Sequence, residues 1–177
     1  SRVIIPDLGI FMIYKYYKAA SAIIQKDFYN TVIVSTPPHS MQIVGGLIKK
    51  RFGNGITLVS DYRDSWNASS IFSPSGKFLK YISLALERFV LKKSDLVTYV
   101  SNPMLSKMQK IFPELSLADK EILVMNGFAG KPSNFSARNN NNDQIDIGYF
   151  GMADDNESSY RNVRPLLECI NKAVLEG

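Results

Sequence analysis

The sequence predicts an α/β fold of the Rossmann-like kind, with a parallel sheet that carries helices on both faces. Short runs of apolar and β-branched residues alternate with longer segments in which apolar residues recur at helical spacing. Each predicted strand is apolar along nearly its whole length, as expected when both faces of a parallel sheet are covered. With 177 residues, the chain is long enough for one domain and part of a second.

The elements of the first half can be placed in order. A helix is predicted over residues 8–26, followed by a buried strand at 31–36 (TVIVST) that a Pro-Pro turn ends. Residues 41–52 form the next predicted helix, for which Ser40 is a suitable N-cap. The second strand (ITLVSD) spans residues 56–61, and a long loop rich in Ser, Asn and Pro occupies residues 62–75.

The alternation continues through residue 126. A helix is predicted over residues 76–93, a strand at 95–100, a helix opened by Pro103 at 103–112, and a fourth strand at 121–126. The apolar face of the helix at 76–93 is predicted to include five residues: Phe78, Ile82, Ala85, Leu86 and Phe89.

The composition changes after residue 136. Residues 137–144 (ARNNNNDQ) are polar and low in complexity, which is typical of a linker. Residues 1–136 are therefore expected to belong to one domain, and residues 145–177 to supply a strand (145–151) and a helix (160–175) of a second. One strand and one helix bury too little apolar surface to be stable alone. Both ends of the sequence are accordingly expected to be cuts in a longer protein.

Composition narrows the function classes. The net charge of +5 suits phosphates or an anionic membrane surface. No run of Lys and Arg interleaved with aromatic residues is present, so nucleic acid is not an expected partner. The first residues lack the basic-then-apolar pattern of a signal peptide, and the most hydrophobic early stretch is interrupted by Lys15 and Lys18. A cytoplasmic location is therefore expected, with peripheral contact at the inner face of the cell membrane as a further expectation.

The single cysteine and the single histidine exclude two kinds of site. Cys169 cannot form an intramolecular disulfide, and its place in an apolar helical pattern indicates a plain helix residue rather than a nucleophile. His39 rules out a site with several histidine ligands, and no metal-ligand spacing is visible. No metal is therefore expected.

Polar segments follow the predicted strands: STPPHS, SDYRDSW, VSNPM and MNGF. Because ligands of parallel α/β sheets bind outside the carboxyl ends of the strands, these segments are expected to form the functional edge. The candidate substrate-binding side chains of the first and third segments are Ser35, Thr36, His39, Ser40 and Ser101. In the first segment, the hydroxyls and a free helix N-terminus suit an anionic or hydroxylated ligand, and His39 is also a candidate general base.

The segment SDYRDSW carries the strongest candidate. Asp61 stands at the end of its strand, where the sheet positions its carboxylate to accept hydrogen bonds from sugar hydroxyls. Arg63 adds a cation and is a candidate substrate-binding residue, and Trp66 adds an aromatic face of the kind that packs on the C–H face of a sugar. The alternative is that an Arg63–Asp64 ion pair and a Trp66 anchor hold the loop on the domain. Asp61 is the leading site residue, and the anchoring role is expected for the other three.

Two further patterns have both a functional and a structural interpretation. Gly151, followed by Arg161 and Arg164 at the start of a helix, suits a phosphate group, although a solvated helix face is the alternative. The first predicted helix carries Phe11 and several tyrosines among lysines. It suits a membrane surface, but covering the sheet is its more usual role.

Taken together, these segments resemble family 4 glycosyltransferases, which are retaining enzymes with the two-Rossmann B-type fold. The segments, in order, are VIVSTPPHS, ITLVSDYRDSW, ALERFVLKKSDLVTYVSNPM, ILVMNGF and IDIGYFG. The motif Asp-x-Arg-Asp-x-Trp after a strand, preceded by a serine- and proline-rich turn, is similar to bacterial members that act in cell-surface polysaccharide synthesis. Asn126-Gly127 resembles the Asn-Gly that precedes the interdomain linker of the family.

The resemblance implies a hexosyltransferase that moves a sugar from a nucleotide-diphosphate donor to a saccharide or polyprenyl-linked acceptor without a metal or another cofactor. Asp61 would face the donor sugar, and Gly151 and Arg161 would bind the donor diphosphate. The family's glycine-rich loop and its Glu-x7-Glu motif would lie upstream and downstream, so the 177 residues alone are expected to be inactive. A non-catalytic α/β module of flavodoxin-like shape, with a binding or regulatory role, remains the alternative. An open reading frame that continues into a Glu-x7-Glu motif would favour the transferase.

Overall fold

The computed structural model describes residues 4–69, 74, 76–127, 148 and 162–176. The chain divides into two compact units, Ser1–Ala129 and Gly130–Gly177. The predicted linker at 137–144 lies outside the described residues, as does the predicted strand at 145–151 apart from Gly148.

The first unit alternates helices and strands in the predicted order. A 3-10 helical segment, Leu8–Met12, leads directly into the first α-helix. The elements that follow are α1 (Ile13–Asp27), β1 (Thr31–Thr36), α2 (Ser40–Phe52), β2 (Thr57–Tyr62), α3 (Lys77–Lys93), β3 (Leu96–Tyr99), α4 (Asn102–Ile111) and β4 (Glu121–Leu123). In the second unit, the described residues form one helix, α5 (Arg164–Glu176).

The four strands form one parallel sheet in the order β1-β2-β3-β4, which confirms the predicted α/β class and the Rossmann-like architecture. The strands pair without irregularity, so that Ser35 of β1, Asp61 of β2 and Thr98 of β3 stand in one row across the sheet. Since the crossover connections of parallel strands are right-handed, a sheet whose strands follow in chain order has its connecting helices on one face.

Burial along the strands shows which face this is. In β2 the buried and partly exposed residues alternate, with Leu58, Ser60 and Tyr62 facing inward. α2 approaches this covered face closely, because a Cβ atom on Gly45 would lie 2.8 Å from Cγ2 of Val34 and 3.1 Å from Cδ1 of Leu58. α3 and α4 pack on the same face through the core cluster that contains Tyr62, and α1 packs there through the cluster around Val44.

The other face of the sheet, here called the open face, is formed by Ile33, Ser35, Val59, Asp61, Leu96, Thr98 and Ile122. Ile33 is 67% exposed and Ile122 is 46% exposed. The sequence predicted helices on both faces of the sheet. In the described part of the chain, helices cover one face, and the open face has no helical layer. The side chain of Asp61 belongs to the open face.

The buried face of α3 agrees only in part with the one predicted, since Leu86 and Phe89 pack against the core cluster. Phe78 is 73% exposed and Ala85 is exposed, whereas Ser83 and Glu87 are buried together with Val90 and Leu91. The physical reason is that α3 packs against the loop after β2, whose polar groups require hydrogen-bond partners when they are buried. An apolar stripe alone could not have supplied those partners.

Candidate functional site

Asp61 is held in place by hydroxyl groups from the two neighbouring strands. Ser35 Oγ donates to Asp61 Oδ2 at 2.6 Å, and Thr98 Oγ1 donates to Asp61 Oδ1 at 2.5 Å. All three residues share one row of the open face, in the last two residues of each strand. The sequence prediction that the sheet would position Asp61 is confirmed, since Asp61 is the penultimate residue of β2 rather than a loop residue.

This arrangement leaves the carboxyl group able to bind a ligand. An ionised carboxylate has about four acceptor positions, and Ser35 and Thr98 take one on each oxygen. Asp61 is partly exposed, so its remaining lone pairs are accessible from the open face. A fixed acceptor of this kind suits a hydroxyl group of a ligand, and the fixed rotamer reduces the entropy lost on binding.

Thr36 contributes to the strand framework rather than to an exposed surface. It is 1% exposed, and its Oγ1 atom donates to the backbone oxygen of Asp61 at 3.2 Å. Gln42 of α2 donates to the backbone oxygen of Val34 at 3.0 Å and to that of Asp61 at 3.4 Å. β1, β2 and α2 are thus joined around the backbone that carries Asp61.

Arg63 joins the segments that follow β2 and β4. Its Nη2 atom donates to Oδ1 of Asn126 at 2.5 Å, and both residues are exposed. The anticipated ion pair between Arg63 and Asp64 is wrong, because among the described residues Arg63 contacts Asn126 instead and Asp64 points to solvent. Arg63 follows β2 and Asn126 follows β4, and the carboxyl ends of parallel strands converge at one edge of the sheet.

The N-terminus of α2 is capped by a residue that the sequence did not indicate. Asp7 accepts from Ser40 N at 3.2 Å and from Ser40 Oγ at 2.7 Å, and it also accepts from Gly9 N at 2.9 Å. Ser40 is the first residue of the helix and is fully buried, so its prediction as the N-cap is wrong. A carboxylate of the chain itself occupies the place where a free helix N-terminus was expected to receive an anion.

The ring of His39 is buried against Trp66. It is 1% exposed, and the two rings stack with centroids 5.6 Å apart and planes 13° from parallel. Trp66 is fully buried, and its Nε1 atom donates to Ser83 Oγ at 2.9 Å. The prediction that Trp66 anchors the loop is confirmed. His39 is part of that anchor, and its role as a general base or substrate contact stays a prediction.

Glu87 completes the anchor from α3. Its Oε2 atom accepts from the backbone N of Asn67 at 3.2 Å and from Asn67 Nδ2 at 2.6 Å. Complete burial raises the pKa of Glu87 to about 7, although the hydrogen bonds from Asn67 and the nearby hydroxyl of Tyr62 act in the opposite direction. The Tyr62 hydroxyl lies near the carboxyl group without well-formed hydrogen-bond geometry.

The other predicted site residues fall in different positions. Ser101 is the N-cap of α4 and accepts from Met104 N at 3.4 Å, so its hydroxyl already has a structural role. Gly151 and Arg161, the predicted diphosphate-binding residues, lie outside the described residues. Arg164 is exposed at the start of α5, where its N–H donates to Oδ1 of Asn162 at 2.9 Å. Cys169 is an exposed free cysteine on the same helix.

Three important residues escaped the sequence prediction: Asp7, Thr98 and Glu87. Thr98 could have been found from the pattern, because a polar residue in an apolar strand marks a position with a hydrogen-bonding partner. The signal for Glu87 was that it is the single acid in α3. Asp7 had no local signal, because its partner Ser40 is distant in sequence.

Two further searches cover only the part of the chain that the structure describes. In these residues no three His, Cys, Asp or Glu side chains converge as a metal site would require. Of the helices described, none combines the length and the apolar character needed to cross a membrane.

A comparison with protein-family models gives no match for the chain, and no curated protein matches its sequence.

Proposed function

We propose that the chain is part of a retaining glycosyltransferase that uses a nucleotide-diphosphate sugar, with Asp61 facing the donor sugar. The observation that carries this proposal is the Asp61 carboxylate at the carboxyl edge of a parallel sheet, fixed by Ser35 and Thr98. The edge is where α/β sheets bind ligands, and the order of motifs along the chain resembles family 4 of these enzymes.

The reaction would break the bond between the anomeric carbon and the diphosphate oxygen, and the electron pair would leave with the diphosphate. An acceptor hydroxyl would form the new bond on the same face of the sugar and pass its proton to the departing diphosphate oxygen. Asp61 would accept from a sugar hydroxyl and counter the positive charge that develops at the ring. In this proposal, Gly151 and Arg161 bind the diphosphate, and holding donor and acceptor in the reactive orientation supplies much of the remaining rate enhancement.

A donor screen on the full-length protein tests this function. We expect one nucleotide-diphosphate sugar to raise the unfolding temperature, because a ligand that binds only the folded state stabilises it by about 2.7 kcal/mol at a concentration near 100 times Kd. The 177 residues alone are expected to show no sugar transfer, since they would hold only part of the donor site. Transfer by this chain alone, or no stabilisation by any UDP-, GDP- or other nucleotide sugar, would contradict the proposal.

The second candidate is a non-catalytic α/β module, and one observation favours it. The polar groups predicted for a ligand are engaged internally: Ser40 with Asp7, Thr36 with the backbone of Asp61, and His39 with Trp66. In such a module, the row of Ser35, Asp61 and Thr98 would serve only to join three strands. A transfer assay on the full-length protein separates the two candidates, because a non-catalytic module would transfer no sugar even if it bound a nucleotide.

We further propose that α1 and the segment before it bind the inner face of an anionic membrane, which would bring the enzyme to a polyprenyl-linked acceptor. Ile24 and Ala20 face the domain, while Phe11 and Tyr14 are each 74% exposed. Lys15 and Lys18 are exposed beside them. Exposed aromatic rings among lysines are the combination that binds at a lipid headgroup layer.

Charge reversal on α1 tests the membrane proposal. We expect the pair Lys15→Glu and Lys18→Glu to abolish most binding to anionic vesicles at low salt, because each lysine near such a surface contributes about 1 kcal/mol. Cosedimentation with vesicles of mixed anionic and zwitterionic lipid measures the effect. Lys107→Glu with Lys110→Glu is the matched control, since these exposed residues have the same spacing on α4. Equal loss in both double variants would show that net charge, rather than α1, determines the binding.

A further inference from the structure

The loop between β2 and α3 is fastened to α3 at two consecutive residues. Trp66 donates to Ser83 Oγ at 2.9 Å, and Asn67 donates to Glu87 Oε2 through its backbone N and its side chain. Ser83 and Glu87 are one helical turn apart and both are buried. Residues 63–69 therefore depend for their position on the Trp66 anchor and on one buried carboxyl group.

No cation accompanies this carboxyl group among the described residues: neither of the ion pairs found there involves Glu87. The titratable groups around it come from three elements. Tyr62 of β2 and Tyr99 of β3 face it, and burial raises the pKa of both hydroxyls, so they stay protonated. Glu121 of β4 acts on Tyr99, and His39 adjoins the cluster through its stack on Trp66.

Glu87 can fill this site in two protonation states. Oε2 accepts from the backbone N and from Nδ2 of Asn67, whereas Oε1 has no hydrogen-bond partner among the described residues, so a proton is best placed on Oε1. When Glu87 is ionised, its carboxylate is a buried negative charge, and its hydrogen-bond partners among the described residues are neutral donors. An uncompensated buried charge costs several kcal/mol, so the ionised state favours any opening that lets water reach the carboxylate.

We propose that Glu87 is a proton-dependent clamp on residues 63–69, which follow β2: the clamp is closed when the carboxyl group is protonated and loosened when it ionises. Loosening releases Asn67 and Trp66 from α3 and allows Arg63, three residues before Trp66, to leave Asn126. This device adjusts the edge of the sheet where Asp61 lies, and it does not require that the chain transfer sugars.

The sign of the pH effect follows from linkage. The pKa of Glu87 is raised to about 7 in the closed state, from 4.5 for an exposed glutamate. Protons therefore favour the closed loop, and raising the pH through this range favours the open one. Between about pH 5 and pH 8, the open population is expected to rise on the order of 10- to 100-fold.

The pH-dependent loosening of the clamp can be measured because the chain has one tryptophan and one histidine, each of which gives a single signal. We expect the fluorescence of Trp66 to change with a midpoint near pH 7, and the amide of Asn67 to exchange faster above it, after correction for intrinsic exchange. Both changes should be absent in Glu87→Gln, because a glutamine has the shape of the protonated acid and no charge. Glu114→Gln, an exposed acid that pairs with Arg88, is the control and should behave like the wild type.

The NMR signal of His39 separates its own titration from that of Glu87. A pH transition at Trp66 that persists in Glu87→Gln, or that follows the His39 signal alone, would overturn the clamp.

A second measurement needs no variant: in the wild-type chain with labelled glutamate, infrared spectroscopy should detect a protonated carboxylic acid at about pH 6, where exposed glutamates are ionised. Absence of that band would also overturn it.

Discussion

Replacing Asp61 with asparagine is expected to lower sugar transfer by the full-length enzyme about 100- to 1,000-fold, the usual effect of removing one group that stabilises transition-state charge. Asparagine keeps the size of the side chain, and its Oδ1 atom can still accept from one of the two hydroxyls that hold Asp61. The negative charge is lost, so the variant separates electrostatic stabilisation from shape. The measurement is initial-rate transfer from the donor found in the screen.

Asp64→Asn is the matched control for this experiment, because Asp64 is an exposed acid in the same segment, three residues after Asp61. It should retain nearly full activity. The two variants should also unfold at similar temperatures, which would show that the loss at Asp61 is chemical. If Asp61→Asn folds normally and turns over near the wild-type rate, Asp61 has no place in the active site and its row serves only to join β1, β2 and β3.

The architecture could be predicted from the sequence because it depends on local patterns. Runs such as TVIVST favour an extended backbone through their β-branched residues, and their alternation with helical periodicity already indicates a parallel sheet. The position of Asp61 followed from the same reasoning, since a polar residue at the end of a buried strand is held by the sheet. These features can be predicted without knowing which strands are neighbours in the sheet.

The partners of Asp61 could not be predicted in the same way, because they depend on register. Thr98 reaches Asp61 only because β2 and β3 pair with these two residues side by side. A shift of one residue would turn the hydroxyl to the opposite face. The Ser40 capping prediction failed for a related reason: Ser40 is preferred at an N-cap by type, but Asp7 is brought there by the tertiary fold and carries a full charge.

The buried face of α3 was predicted only in part from its apolar pattern. Apolar spacing favoured a face that contains Phe78, whereas the helix buries Ser83 and Glu87 against the loop after β2. Hydrogen bonds to a buried loop outweigh the burial of one aromatic ring when the loop would otherwise leave several donors unsatisfied. The same comparison explains why Trp66, in a segment that appears polar in sequence, belongs to the core.

Replacing Trp66 with alanine is expected to lower the free energy of unfolding by about 3 to 5 kcal/mol, the range for truncating a buried aromatic side chain. The side chain is fully buried, stacks on His39 and donates to Ser83, so three kinds of contact are lost together. A domain of this size is stable by roughly 5 to 15 kcal/mol in total, so this one change removes a large part of the margin.

Trp66→Phe divides that loss into its parts, because phenylalanine keeps an aromatic ring against His39 but has no N–H group for Ser83. It should lower the free energy of unfolding by less than Trp66→Ala does, because the aromatic ring is retained. It should still lower it by about 1 to 3 kcal/mol, because the Ser83 hydroxyl loses its partner. Urea unfolding followed by circular dichroism measures all variants without relying on tryptophan fluorescence. Phe78→Ala, an exposed aromatic residue on α3, is the control and should change stability by less than about 0.5 kcal/mol. If Trp66→Ala costs no more than Phe78→Ala, the loop is not anchored by Trp66, and the fixed geometry around Arg63 and Asp61 must have another source.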